Sequence, residues 1–239
     1  MPRLYVQNRD IVVPGQLLAE GPDAEPANPP FVVKRGNAIY STILGLADIQ
    51  DGRIGVIPLE GPYIPKPGDI VIGLIVNAGI THWEVDIRAP YKAVLPVQEA
   101  LDKPFNPATD DLLRYYQIGD YIVAKVTSFD RTHDPYITVK GKGLGKIVTG
   151  SIVEIKPSRV PRVIGKKASM INMIVELTGC NIVVGQNGRI LVQCQNRDVE
   201  EVVVLAIKKI EREAHIPGLT DRVRAFIEEE LKRRGVGRG

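Results

Sequence analysis

The sequence predicts a multidomain chain that is mainly β up to about residue 142 and α+β beyond it. Three observations support this prediction. The 239 residues allow two or three compact units in series. Aromatic residues make up only 5% of the chain while Val, Ile and Leu are abundant, a mixture that favours strands with modest cores. The third is that short apolar runs separated by Gly and Pro give way to helical periodicity after the segment Lys140–Lys146.

Residues 1–65 are predicted to be a small β domain. Short apolar runs at 10–13, 38–44 and 54–57 each end before a Gly or Pro turn signal. Between them, the segment 21–30 is rich in Pro and poor in hydrophobic residues, so we expect an exposed loop. Residues 1–66 carry six basic and seven acidic residues. This near-neutral balance suits protein contact better than RNA contact.

Residues 66–142 are predicted to form a closed five-stranded barrel of the OB type. A cluster of turn residues, Tyr63–Asp69, precedes the first strand. Five short strands in about 75 residues, with one longer insert at 96–117, match a small Greek-key barrel. The predicted strands are 70–76, 82–87, 91–95, 120–126 and 136–139.

Residues 147–215 are predicted to be a type I KH domain with the order βααββα, followed by a further helix and a tail at 216–239. Ser151–Ile155 has a strand pattern, and a helix is expected to end at Gly179. Apolar residues have helical spacing over 197–212 and again over 219–233.

A hairpin turn is predicted at Gly185-Gln186-Asn187-Gly188. Asn-Gly favours tight turns, so we interpret Gly185, Asn187 and Gly188 as a structural turn and not as a second nucleotide-binding loop. Cys180 and Cys194 lie almost symmetrically about this turn. They are expected to be cross-strand neighbours. Both a disulfide and a pair of buried thiols fit the pattern, and a cytosolic chain favours the thiols.

Several function classes are disfavoured by the composition. The two cysteines and three histidines have no zinc-site spacing, and no cofactor is expected. Neither Asp110-Asp111 nor Glu228–Glu230 provides converging carboxylates for a nuclease, and no phosphate-binding glycine loop or nucleophile elbow is present. No apolar run is long enough for a membrane helix, and the amino terminus has no apolar signal region. We therefore expect a cytoplasmic protein that binds and does not cut.

A basic segment between Lys140 and Lys167 is the main electrostatic signal for RNA. It holds eight Lys or Arg residues and one acidic residue, Glu154, whereas the whole chain has a net charge of only +3. Within it, Val163–Ala168 resembles the GXXG loop of KH domains, which clamps the RNA backbone. Ala168 occupies the position of the second glycine. The candidate RNA-binding residues are Arg159, Arg162, Gly165, Lys166 and Lys167, and a purely structural turn on a solvated face is the alternative.

The barrel offers a second group of candidates. Trp83 and Tyr91 lie on its second and third predicted strands, where OB-type barrels stack bases, and Lys92 follows them. Trp83 alternates with Val85 and Ile87, so a core position is the alternative for it. Phosphate contacts are expected from residues at the barrel rim or its loops. These candidates are Lys92, Lys125, Arg131 and His133.

Three motifs together resemble the S1/KH cap subunit of the archaeal exosome, the ribosomal-RNA-processing protein four family. They are Tyr63–Gly73, Trp83–Ile87 and Gly185–Ile190. The resemblance spans nearly the whole chain. It implies that the barrel is an S1 domain, that residues 1–65 dock on a hexameric ring of phosphorolytic RNase-fold subunits carrying three caps, and that the S1 barrels surround an RNA entry pore. It also implies no active site in this chain.

Two other functions fit part of the sequence. A free-standing S1/KH factor of transcription or translation would share two of the three domains, but it leaves the first 65 residues without a role. A nuclease would need an acidic metal site that the sequence does not show.

Overall fold

The computed structural model of the chain describes residues 2–27, 31–50, 52–106, 110–130, 132–214, 216 and 218–236. These residues divide into two compact units, 1–61 and 62–239. None of the helices in the described ranges combines the length and the apolar character that a membrane crossing needs.

The first unit consists of two four-stranded sheets around one core. The sheets have the strand orders β1-β3-β6-β5 and β2-β7-β8-β4. Their side chains enclose Val12, Leu18, Ile39 and Ile54, which are fully buried. The strands seen in this part of the described chain are β1 (Arg3–Leu4), β2 (Ile11–Val12), β3 (Leu17–Glu20), β4 (Glu25–Pro26), β5 (Val32–Arg35), β6 (Ala38–Ser41), β7 (Gly45–Gln50) and β8 (Arg53–Pro58).

The prediction of an exposed loop at 21–30 needs a correction. Ala24 is fully buried in the core of the first unit. β4 pairs in parallel with β8, where Glu25 is opposite Arg53. A polar, Pro-rich segment is therefore held in the sheet by one buried methyl group and a short ladder. Residues 28–30 of the predicted loop lie outside the described residues.

The second unit begins with the predicted barrel, which is confirmed. Pairing of β12 with β13 closes a sheet with the strand order β13-β11-β10-β9-β12. At its entrance the Tyr63 hydroxyl donates to Asp69 Oδ2 at 2.7 Å, and burial raises the pKa of Tyr63. The elements of the barrel and of the segment that follows it are β9 (Ile70–Ala78), β10 (His82–Asp86), β11 (Lys92–Pro96), α1 (Val97–Ala100), β12 (Tyr121–Asp130), β13 (His133–Thr138) and β14 (Gly145–Lys146).

The rest of the second unit has the predicted order βααββα and one additional helix. The sheet order is β15-β17-β16, and the helices cover one of its faces. On the other face Leu191 packs with Ile72 and Val123 of the barrel. The elements are β15 (Ser151–Glu154), α2 (Val160–Ile164), α3 (Ser169–Thr178), β16 (Asn181–Val184), β17 (Arg189–Gln193), α4 (Arg197–Glu213) and α5 (Leu219–Arg234).

Candidate nucleic-acid interface

A concave aromatic patch lies on the barrel where β11 and β13 run side by side. It encloses about 430 Å³ and is lined by Tyr91, Val94, Tyr136 and the 132–134 segment. The rings of Tyr91 and Phe129 are 5.0 Å apart, and Tyr136 is 44% exposed. Aromatic faces of this kind stack nucleic-acid bases with little dependence on base identity. The patch can therefore hold single-stranded RNA by its bases.

Two basic side chains near this patch are paired with carboxylates. Lys92 Nζ lies 3.0 Å from Glu84 Oε2, and this hydrogen bond lowers the pKa of Glu84. His133 Nδ1 lies 2.9 Å from Asp130 Oδ1. Hydrogen bonds from Thr132 and then from His133 lower the pKa of Asp130, which therefore stays ionised. The positive charge predicted for this surface is thus largely balanced locally.

The other two basic candidates of the barrel are Lys125 and Arg131. Lys125 is exposed on β12 and forms no ion pair within the described ranges. Arg131 lies outside the described residues. Of the barrel candidates, Lys125 therefore offers an unbalanced charge to a phosphate.

Trp83 does not belong to this surface, which corrects the expectation that it stacks on bases. The side chain is fully buried in the barrel, where its ring meets Tyr116 edge-on with centroids 5.3 Å apart. Its indole Nε1–H donates to the Tyr116 carbonyl at 3.1 Å. The alternation with Val85 and Ile87 places all three side chains on the inner face of β10 and the turn after it.

The KH loop has positive φ angles at three residues, one of which is its alanine. α2 ends at Gly165, whose φ is 77°. A Cβ at this position would lie 2.6 Å from the Met170 nitrogen, so only glycine fits. Lys167 and Ala168 follow with φ of 52° and 61°, both left-handed. Two successive residues with a Cβ in this region are strained.

We expect Ala168→Gly to raise the free energy of unfolding by about 0.5 kcal/mol, because relief of the left-handed alanine outweighs the added freedom of the unfolded chain. Urea unfolding measures the change. Ala206→Gly in the middle of α4 is the control and should act in the opposite direction, by about 2 kcal/mol, because it combines the helix cost of Gly with the loss of a fully buried methyl group. A loss of stability in Ala168→Gly would contradict the strained loop.

The basic residues of this loop remain unbalanced, unlike those near the aromatic patch. Arg162, Lys166 and Lys167 are exposed, and Arg159 is half-buried. None of the four forms an ion pair in the part of the chain that the structure describes. Earlier in the basic segment, Lys140 Nζ lies 3.6 Å from Asp102 Oδ1 and Lys146 Nζ lies 2.5 Å from Asp120 Oδ2. The charge available to RNA is therefore concentrated at the KH loop.

The predicted hairpin turn is present, and its tip is buried against the barrel. Asn187 is fully buried and accepts a hydrogen bond from the Ile72 nitrogen at 3.2 Å. Its amide donates to the carbonyls of Ile72 and Ile87 at 2.8 and 3.0 Å. A Cβ on Gly185 would lie 2.5 Å from Asn187 Oδ1. Gly188 has a φ of 81°.

The turn is of a different type from the tight one expected, because Asn187 itself is not left-handed. It matches a three-residue loop that closes on a left-handed glycine, Gly188. The predicted turn residues therefore join two domains and do not present a loop to nucleotides.

Ion pairs reinforce this junction. Arg189 is buried and donates to Asp86 Oδ2 at 2.6 Å and to Glu154 Oε1 at 2.9 Å. Burial disfavours its charged form, but the hydrogen bonds that it donates to Glu154 and Asp86 outweigh burial and raise the pKa of Arg189. Arg88, with a φ of 53°, donates to the carbonyls of Ile155 and Gly188. A fully satisfied network of this kind holds the S1 and KH domains in one arrangement.

Comparison with known proteins gives the family. Models described as the Exosome RNA binding protein RRP4 N-terminal domain, the Exosome complex component RRP40 S1 domain and the KH domain match residues 9–60, 63–145 and 150–198. The chain is 48% identical over 238 residues to the Exosome complex component Rrp4 of Saccharolobus solfataricus, covering 99% of this chain and 95% of that protein. The chain belongs to the archaeal Rrp4 family.

Other Rrp4 relatives are equally close. The Rrp4 proteins of Aeropyrum pernix and Pyrococcus furiosus are 49% and 47% identical to the chain, covering 95% and 99% of it and 96% and 90% of their own lengths. A crystal structure described as that of an exosome complex RNA-binding protein is 54% identical, with a TM-score of 0.69, and covers 73% of this chain and 99% of that one. The resemblance inferred from three sequence motifs is therefore confirmed.

Several residues of the interface were missed by sequence reasoning. Tyr136 on β13 lines the aromatic patch, and the ring of Phe129 on β12 contacts the ring of Tyr91. Both are aromatic residues on strands, which was the available signal. Asp86, at the end of β10, and Arg88, in the loop after it, had no local signal because their partners across the junction lie more than 60 residues away.

Proposed function

We propose that this chain is a non-catalytic, RNA-binding cap component of the archaeal exosome, which recruits RNA and guides it to the pore of a phosphorolytic ring. The single observation that carries the RNA part of the proposal is the group of unpaired cations at the KH loop, Arg162, Lys166 and Lys167. The relatives' naming as exosome components supports the assembly.

The two RNA surfaces have different chemistry, which suggests a division of roles. The aromatic patch on S1 offers ring faces and locally balanced charge, so it suits bases. The KH loop offers unbalanced charge and no aromatic side chain, so it suits phosphates. RNA should therefore bind without strong sequence preference, and its affinity should fall steeply with salt.

We expect the double substitution Lys166→Ala and Lys167→Ala to weaken the binding of two unrelated RNAs equally, several-fold. The slope of log K against log salt concentration should become less steep by about 1.4, the value for two phosphates on a single strand. Filter binding between about 50 and 200 mM salt measures both quantities. The matched control replaces Lys208 and Lys209, which pair with Glu211 and Glu213. A loss confined to one RNA sequence would contradict a phosphate clamp.

Docking on the ring is assigned to the first unit. Ile11, Val13 and Leu44 are 67%, 51% and 48% exposed, while Val12 between the first two is fully buried. Because side chains alternate along a strand and Gly45 pairs with Val12, the three apolar side chains share one face of the β2–β7 edge. An apolar face on a unit with little net charge suits a protein partner. Three caps on a hexameric ring is the arrangement we propose.

We expect Ile11→Glu together with Leu44→Glu to abolish co-elution with the phosphorolytic ring subunits in size-exclusion chromatography, because two carboxylates would be buried in the contact. Both positions are exposed, so the fold should be unaffected. Val148→Glu, at a position 83% exposed shortly before β15, is the control. Undiminished co-elution of the double variant would remove this face from the proposal, and absence of co-elution by the unaltered chain would favour a free-standing factor.

A further inference from the structure

The hairpin whose tip packs against the barrel is also fastened at its base. Asn181 and Gln193 form the last backbone pair of β16 and β17, and their side chains share a hydrogen bond of 2.9 Å. One position beyond them, Cys180 and Cys194 are joined by a disulfide with a Cα–Cα distance of 4.5 Å. This distance lies within the range of native disulfides. The cross-strand placement of the two cysteines is as expected, but the structure contains the disulfide and not the pair of buried thiols that the sequence favoured.

The two sulfur-bearing residues differ in access. Cys180 is only 2% exposed and belongs to the domain core. Cys194 is partly buried and lines a groove of about 520 Å³, together with Thr178, Asn196, Leu231 and Val236. Cys180 is not among the residues that line this groove. A reagent in solution therefore meets Cys194 first.

We infer that Cys180 and Cys194 form a thiol–disulfide exchange site that fastens the base of the hairpin, with Cys194 as the sulfur that an external thiol attacks. The site joins the end of α3, through Gly179, to the start of α4, where the Asn196 side chain caps the helix by accepting from the Asp198 nitrogen at 2.8 Å. Opening the bond should loosen this corner of the KH domain while the hairpin tip stays packed against the barrel.

A dithiol reduces the Cys180–Cys194 bond in two exchange steps. A thiolate of the dithiol bonds to Cys194 Sγ, the bond between the cysteines breaks, and Cys180 Sγ leaves with the electron pair and takes up a proton. The second thiolate of the reductant then bonds to its first sulfur and releases Cys194 as a thiolate, which is also protonated. The protein gains two electrons and two protons, and the dithiol becomes a cyclic disulfide.

Peptide mapping of the full chain tests the bond. Trypsin cleaves after Lys167, Arg189 and Arg197, so the two cysteines fall in separate peptides, 168–189 and 190–197. Protein purified without reductant should give these peptides as one cross-linked species, two hydrogen masses lighter than their sum, and dithiothreitol should separate them. Two free thiols in the unreduced, denatured chain would overturn the inference.

Glutathione identifies the attacked sulfur. After brief exposure of the oxidised protein to glutathione and quenching in acid, the mixed disulfide should lie on peptide 190–197 in at least about tenfold excess over peptide 168–189, because access governs exchange. Equal labelling of the two peptides would overturn the assignment to Cys194.

Thermal unfolding measures what the bond contributes. Reduction with dithiothreitol should lower the melting temperature by roughly 5–10 °C, the shift expected for a bond closing a loop of about 14 residues in a protein of this size. The double variant Cys180→Ala and Cys194→Ala should melt at the reduced temperature and be insensitive to dithiothreitol. If that variant does not fold, the shift of the unaltered chain still decides, and an unchanged melting temperature on reduction would overturn the fastening role.

Discussion

Asn187→Ala is expected to lower the free energy of unfolding of the second unit by about 4 kcal/mol. It removes the side-chain partner of the Ile72 nitrogen and of the Ile87 carbonyl, and it leaves the Ile72 carbonyl with only the 3.4 Å hydrogen bond from Arg189. Each unpaired buried group costs about 1–3 kcal/mol. The methyl group of alanine also leaves a void where the amide was. The S1 and KH domains should then unfold separately and not in one transition.

Urea unfolding monitored by circular dichroism measures the loss, and native-state hydrogen exchange locates it. Exchange should rise at the amides of β9 and of the 185–189 turn. Gln186→Ala is the matched control in the same turn, because the Gln186 contact with Ile70 uses the backbone nitrogen and survives the substitution. Equal stability of the Asn187 and Gln186 variants would show that the turn does not hold the domains together.

Trp83→Ala is expected to lower the free energy of unfolding by about 3–5 kcal/mol, the range for removing a fully buried large aromatic side chain. The substitution removes the edge contact with Tyr116 and the hydrogen bond to its carbonyl. Burial raises the pKa of Tyr116, and that pKa should return toward its usual range as the barrel opens. Spectrophotometric titration of tyrosine can follow that change alongside urea unfolding.

RNA binding separates the core role of Trp83 from a surface role. Trp83→Phe should keep the barrel folded and bind RNA with unchanged affinity. Tyr136→Ala, at a position 44% exposed on the aromatic patch, should leave stability nearly unchanged and weaken RNA binding by about 1–3 kcal/mol. Weakened RNA binding by a fully folded Trp83→Phe variant would show that Trp83 contacts RNA bases.

The basic segment between Lys140 and Lys167 was predictable from the charge count, but the availability of each of its cations was not. Eight cations between Lys140 and Lys167 predict a positive surface, and the three-domain order predicts an RNA-binding protein. Whether each cation is available depends on its neighbours. Lys146 is balanced by Asp120, 26 residues earlier in the chain, whereas Lys166 and Lys167 face solvent. The charge count therefore identifies the basic segment, and the folded structure determines which of its cations can contact RNA.

Elements with a local cause were predictable from the sequence. The order of strands and helices follows from periodicity, the end of α3 from Gly179, and the hairpin from the Gly and Asn residues at 185–188. These signals act within a few residues, so they survive in any tertiary context that permits them. The short strands of the first unit were harder, because ladders of two residues such as β1 and β4 carry almost no periodic signal.

Features that depend on distant partners were decided only by the tertiary structure. A period-two strand has two faces, and the pattern around Trp83 does not say which one is inside; closure of the barrel decides it. The hydrogen bonds of Asn187 cross 100 or more residues, and those of Arg189 to Asp86 cross 103. The local sequence thus predicted that a turn forms at residues 185–188. The role of this turn as the junction between S1 and KH depends on its burial against Ile72 and Ile87, which are distant in sequence.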